Sequence, residues 1–309
     1  MVFDCNVLYR IEDPKMAKWW KLQLAKTLLR LNKFQESETL FRELLQDSSS
    51  KDLQLTLWLG RLYSTAGKYG KAEKCLTEAL NVDPNSKQLR LVLAQVMEER
   101  GKWENSSSIL ERVISLDPTD PEALSLLAAN YFYDEQPELS KVCYERMLDL
   151  GHSYSSAVWN NYGLCKFYCG DLDAVHGCFE EALDVATDNI ERADVWFNMS
   201  HVAIRCGDLE WARGCLRLTV HYDPTHAEAY NNMAVIGNIP HQTLHGLLEL
   251  SMKHGPNLFE PFYNAALLDS HQGRLESALK YARMAQNNFP VHFDKSAFLG
   301  SLLAEINEL

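Results

Sequence analysis

Apolar residues recur three and four places apart along the chain, the spacing of one helical face, in stripes separated by short polar turns. The stretch "ADVWFNMSHVAIRCGDLEWARGCL", Ala193 to Leu216, reads as two amphipathic helices meeting at Gly207-Asp208. Neither helix alone could bury much. The same unit returns: "AGKYGKAEKCLTEALNVDP", "RGKWENSSSILERVISLDP", "CGDLDAVHGCFEEALDVAT", "CGDLEWARGCLRLTVHYDP" and "QGRLESALKYARMAQNNFP" fall into one register. Ahead of these turns Ala25, Gly60, Ala94, Ala128, Gly163, Ser200, Ala234, Ala266 and Gly300 share one slot, and all are small. Two antiparallel helices approach closely only where one presents a small side chain, so the spacing predicts a helical hairpin at each. The facing slot carries Phe41, Leu76, Leu110, Tyr144, Phe179, Leu216, Leu248 and Ala282. Pro84, Pro118, Pro224, Pro256 and Pro290 follow second helices, where proline ends them.

A period of about 34 residues with this pattern resembles the tetratricopeptide repeat. Eight repeats are expected, at 18–52, 53–86, 87–120, 121–155, 156–192, 193–226, 227–258 and 259–292, after a short segment 1–17 and before a capping helix 293–309. The expected fold is all-α, about seventeen helices in antiparallel pairs, coiling as a right-handed superhelical solenoid with a groove. Two units deviate. The fourth has Glu135-Gln136-Pro137 in place of a glycine turn, and the seventh is short with Pro240 at its turn. Loop drift or a kink that sets the superhelical pitch accounts for either.

Charge and composition narrow the function. The chain of 309 residues carries a formal charge of −12, with lysine and arginine scattered singly. Phosphate contacts need a positive footprint, so nucleic acid is not an expected ligand, and a polybasic membrane patch is missing. No apolar run reaches bilayer-spanning length. The opening "MVFDCNVLYRIEDPK" does not read as a signal peptide, and eight cysteines in a chain this long fit a reducing, cytoplasmic address.

Reaction chemistry is not expected. A glycine-rich phosphate loop, an H-E-x-x-H motif and a CxxC zinc pattern are all absent. Cys165 and Cys169 lie one helical turn apart, but Cys169 and Cys206 fill one recurring slot and Cys75, Cys143, Cys178 and Cys215 another. Cysteine that recurs by slot is a small packing hydrophobe. His241 and His245 read as a surface pair without a neighbouring acid, and Glu98-Glu99 and Glu180-Glu181 as solvated faces. No catalytic residue, cofactor or metal is expected, and the chain is not read as an enzyme.

The stripe flanking the packing face is the expected contact surface. At its fifth and ninth places the fixed positive charges are Lys26 and Arg61 alone, too few for a clamp on a terminal carboxylate. The surface suits a partner's helix or extended segment. Partner contacts are expected at Asn160, Phe197, His201, Asn231, Val235 and Tyr263, in the first helices of repeats five to eight.

The wording of the units is more specific than the repeat. "KWWKLQLAKTLLRLNKFQESETLF", "ANYFYDEQPELSKVCYERMLDLG", "WNNYGLCKFYCGDLD", "ERADVWFNMSHVAIRCGDLEWARGCLRL", "HAEAYNNMAVI" and "NLFEPFYNAALLDSHQGRLESA" follow in order. Together they resemble the family of Bardet-Biedl syndrome protein eight, a tetratricopeptide subunit of the BBSome, the coat-like complex that carries membrane proteins in cilia. The resemblance spans residues 16–309 and implies a non-catalytic scaffold in ciliary membrane-protein trafficking and cilium assembly. It implies other BBSome subunits as partners, a propeller-bearing subunit and a small chain in the groove among them. Membrane contact would come only through the complex, at the cilium and basal body or centrosome region. The family carries a further N-terminal region and a polar spacer, whereas this sequence opens almost at the array. A tetratricopeptide adaptor of another assembly, of intraflagellar-transport or cell-division type, is the alternative.

Overall fold

The computed structural model describes residues 14–47, 52–237 and 240–288. Among them are sixteen α-helices and no strand. In order these are α1 (Pro14–Arg30), α2 (Phe34–Gln46), α3 (Leu53–Thr65), α4 (Tyr69–Leu80), α5 (Lys87–Glu99), α6 (Trp103–Leu116), α7 (Pro121–Tyr133) and α8 (Pro137–Asp149). There follow α9 (Ser156–Tyr168), α10 (Leu172–Val185), α11 (Asn189–Arg205), α12 (Leu209–Tyr222), α13 (Ala227–Ile236), α14 (His241–His254), α15 (Glu260–His271) and α16 (Leu275–Asn288). The chain is an all-α tetratricopeptide-repeat solenoid. It divides into two compact units, Met1–Cys143 and Tyr144–Leu309. The expected capping helix at 293–309, and most of the expected N-terminal segment, lie outside the described residues.

The hairpin turns explain the glycine register. Asn32, Gly67, Gly101, Glu135, Gly170, Gly207 and Gly273 each end a first helix with φ between 57° and 82°. This left-handed residue lets the next N–H reach back around the helix end, as from Lys68 to the Tyr63 carbonyl (2.8 Å) and from Gln136 to the Tyr131 carbonyl (2.8 Å). The fourth turn therefore keeps the common geometry without glycine. A non-glycine residue there costs about 1–2 kcal/mol, so Glu135→Gly is expected to stabilise the fold by about 1 kcal/mol once glycine's greater unfolded-state entropy is deducted. A denaturant midpoint that stays put or falls would contradict this.

The loops between repeats are equally local. In Asp83-Pro84-Asn85, Asp117-Pro118-Thr119 and Asp223-Pro224-Thr225 the aspartate Oδ1 accepts the N–H two residues on, at 3.3, 3.2 and 2.9 Å. Asp52, Asp120, Asp188 and Asp208 cap the N-termini of α3, α7, α11 and α12 with side-chain oxygens. The Asp188 cap starts α11 at Asn189, ahead of residue 193 where the sixth repeat was expected to begin.

Packing follows the small-to-large scheme. Within the first unit, Ala25, Phe41, Leu44, Leu62, Leu76, Leu89 and Val96 belong to one buried cluster. A buried leucine or phenylalanine contributes about 1.5–3 kcal/mol. Polar groups inside the hairpins are satisfied by the facing helix: the Ser37 hydroxyl donates to the Ala25 carbonyl (2.8 Å) and Ser140 to that of Ala128 (2.7 Å). In the second unit Phe179, Val195, Met199, Val202 and Cys215 pack as one cluster. Phe262, Ala266, Ala278, Ala282 and Ala285 form another.

Candidate partner-binding face

First helices of the second unit carry the expected contact residues in one register. Ser156, buried at the start of α9, precedes Asn160, and Asp188 launches α11 so that Phe197 occupies the corresponding turn. His226 caps α13, its Nδ1 accepting the Ala229 N–H (3.3 Å), which places Asn231 one turn on. Tyr263 holds the same place on α15.

The six residues differ sharply in what they offer. Phe197 is half-buried, and its ring contacts His201 (4.6 Å, edge-on) and His226 (4.4 Å). Lost hydration, then the charge of His226, lowers the pKa of His201. Val235 is 61% exposed. Tyr263 packs against the α15–α16 cluster. Asn160 and Asn231 are buried. Asn231 accepts from the Asn264 amide (2.8 Å) and donates to Asn232 (3.4 Å), so it ties two repeats together and offers little surface. The structure thus brings Phe197 and His201 together, and leaves Val235 as the exposed apolar member of the set.

A cleft of about 280 Å³ opens between α9 and α11, lined among others by Asn160, Asn161, Asp194, Phe197 and Asn198. Sequence reasoning passed over its neighbours. Asn161, Asn198, Asn232 and Asn264 occupy one position of four successive first helices, one place beyond the expected contact residues. That recurrence of asparagine at one-repeat spacing was the available signal. In the first unit the two inward cations are already engaged: Lys26 Nζ lies 4.5 Å and the Arg61 guanidinium 5.3 Å from the Trp58 ring.

Two acid readings need correction. His245 is not a surface histidine without an acid, because its Nε2 is 2.7 Å from Asp269 Oδ1. Glu98 does not simply face water. It accepts from the Ser106 hydroxyl (2.9 Å), which in turn accepts from Asn130 (2.9 Å), and burial pushes its carboxyl above the usual range. Glu180 and Glu181 are exposed. Among the described residues no cluster of three or more histidine, cysteine or acidic side chains could hold a metal. Cys75, Cys178, Cys206 and Cys215 are free thiols. Burial raises the Cys75 and Cys215 thiols to about 11, which keeps both in the unreactive protonated form. No helix among the described residues is long and apolar enough to cross a membrane.

Comparison with known proteins gives the same repeat. The family model described as the cytochrome c-type biogenesis protein H TPR domain matches residues 34–156. The chain is 31% identical over 288 residues to the mouse protein named tetratricopeptide repeat protein 8, covering 92% of this chain and 55% of that one. It is 32% identical over 288 residues to the human protein of that name, covering 92% of this chain and 52% of the other. The chain spans about half the length of these curated relatives. Among solved structures, a tetratricopeptide repeat protein from Parabacteroides merdae superposes with a TM-score of 0.61 at 12% identity, covering 94% of this chain and 98% of that one. The Cut9–Hcn1 assembly of the APC/C gives 0.58 at 12% identity, over 98% of this chain and 58% of the other. At such identities these structures speak for the fold alone.

Proposed function

The chain is a tetratricopeptide-repeat protein, homologous over 92% of its length to proteins named tetratricopeptide repeat protein 8, and from that kinship we propose that it is a non-catalytic scaffold subunit of the BBSome. The observation that carries the reading is the 31–32% identity sustained over 288 residues. It extends across both compact units, and the wording of the repeats points to the same family. The physical design supports it. A stack of helix pairs presents a long surface on which several partners can rest, each across a few units, and it needs no reaction chemistry. The partners would be the other BBSome subunits, including a propeller-bearing subunit and a small chain laid along the first-helix positions of the second unit. The place of work would be the cilium and basal body, with membrane contact made through the assembled complex. With a formal charge of −12, basic or mixed-charge partner surfaces are favoured.

The test is co-purification of the tagged chain from ciliated cells. Recovery of the other BBSome subunits is the expected result, and a chain that brings none of them down does not belong to that complex. Phe197→Ala combined with Tyr263→Ala should weaken that assembly by about tenfold, which corresponds to about 1.4 kcal/mol. Helical content measured by circular dichroism should stay intact. Unchanged assembly would place the interface elsewhere.

A further inference from the structure

We propose that the cleft between α9 and α11 receives the cationic head of a lysine or arginine carried on an extended segment of a protein partner. The inference rests on the scaffold reading but not on which complex the chain serves.

The argument begins with an orphaned acceptor. Asn160 is only 5% exposed, lines the cleft, and its Oδ1 has no hydrogen-bond partner among the described residues. An acceptor closed off from water and left unpaired is destabilising, so a donor that reaches it is favoured. Each neighbouring amide already spends one N–H inside the protein. Asn160 Nδ2 donates to Asn161 Oδ1 (3.2 Å), and Asn161 Nδ2 donates to the Tyr144 hydroxyl (3.2 Å). The buried atom of this amide pair that is left without a partner is an acceptor, Asn160 Oδ1.

The charges have the same sign. Asp194 and Glu191 line the cleft, and Asp194 has no ion-pair partner among the described residues. Partial loss of water beside the cleft raises the Asp194 carboxyl above its ordinary range, with the charge of His226 opposing the rise. Arg192, the nearest arginine in sequence, is turned away, its guanidinium donating to the Asp188 and Ala186 carbonyls at 3.1 and 2.8 Å. Phe197 supplies an aromatic wall. An aromatic face, a carboxylate and an unpaired carbonyl are together what an ammonium or guanidinium recognises: the ring takes the aliphatic stem or the charge, and the oxygens take the N–H donors.

The neighbouring residues specify how the cation is delivered. Asn198 lines the cleft, and Asn232 and Asn264 continue from it at the same position of the next first helices. Asn231 engages the Asn232 side-chain carbonyl and one Asn264 N–H, so Asn232 keeps its amide donors and Asn264 its acceptor for an extended main chain, which needs both. An extended strand carrying its cation into the cleft would run along this column.

Fluorescence anisotropy of the full chain with tagged peptides tests the inference. The probes are acetylated and amidated serine-threonine peptides with a single central arginine, lysine or glutamine. The arginine and lysine peptides should bind at least about tenfold more tightly than the glutamine peptide. Asp194→Asn, a change at an exposed helix position, should erase that preference with helicity unchanged. A glutamine peptide with a free N-terminal ammonium should not recover it; equal binding by that peptide would move the site to chain termini and overturn the side-chain reading. Absence of binding by every peptide, equal binding by all, or a preference that survives Asp194→Asn would also overturn the proposal. Recovery of BBSome subunits is read separately. A chain that prefers the cationic peptides but brings down no subunit keeps the cleft and loses the proposed complex, and the reverse result loses the cleft alone.

Discussion

Gly60→Leu is expected to destabilise the first unit by about 3 kcal/mol, the upper end for overpacking a well-filled core. A Cβ built on Gly60 would lie 2.6 Å from Leu76 Cδ2 and 2.9 Å from its Cγ. Leu76 is fully buried in a cluster with Leu59, Leu62, Ala72 and Leu93, so it has little room to retreat. The remaining atoms of the new side chain would force α3 from α4. Gly163→Leu should cost less, about 2 kcal/mol, because the added Cβ meets Cys178 Cβ at 3.1 Å and Phe179 Cε1 only at 3.5 Å. Gly60→Ala separates the two contributions at this site. Alanine gains about 1 kcal/mol of helix propensity over glycine, and the contact with Leu76 opposes it. Thermal unfolding of the three variants should rank Gly60→Leu below Gly163→Leu, with Gly60→Ala nearest the parent. Equal midpoints for all would mean that these helices do not meet at the small slot.

That slot was legible because it depends on chemistry within one hairpin. Gly60 and Leu76 are close in sequence, so the same constraint returns at every repeat and shows as a register. The turn at Glu135 was harder. Its sequence departs from glycine, yet the backbone takes the common left-handed form, because the helix-end hydrogen bonds of the hairpin impose it. Contacts between repeats were opaque. Asn231 meets Asn264 and His245 meets Asp269 across a repeat boundary, and no local pattern says which residue of the next repeat either one meets. In the sequence the expected contact face is a line of side chains at one helical position. Periodicity identified the helix positions, but it could not say that Asn160 and Asn231 turn inward while Val235 stays exposed. The cleft beside Asn160 depends on how α9 and α11 stand apart, a tertiary quantity that no stripe of apolar residues encodes.

The pair that crosses the last repeat boundary gives the second large expected effect. The Asp269 side chain on α15 is 1% exposed. Its Oδ1 accepts from Arg274 Nε (3.1 Å), with Arg274 Nη2 also in contact, and faces His245 Nε2 of α14 at 2.7 Å. One carboxylate therefore holds α14, α15 and the turn into α16. Burial alone would raise its pKa, but hydrogen bonds from Ser277, His245 and Arg274 outweigh burial and hold it below the ordinary range. A carboxyl whose folded pKa lies below its unfolded value of about 3.9 contributes its full stabilisation above that value and loses it as pH falls through the folded pKa. Removing one member of a fully buried pair costs about 3–5 kcal/mol. The Arg274 side chain is 48% exposed and would keep much of its hydration, so Asp269→Ala should cost less than that. About 2–3 kcal/mol is expected at neutral pH, and somewhat less for Asp269→Asn, which keeps an acceptor. Urea unfolding of the parent and of Asp269→Asn across the acid range checks both the size and the sign. The gap between them should be widest at neutral pH and narrow below about pH 4 as the parent carboxylate takes up its proton. A gap that widened on acidification would mean that the carboxylate does not hold these helices as an anion.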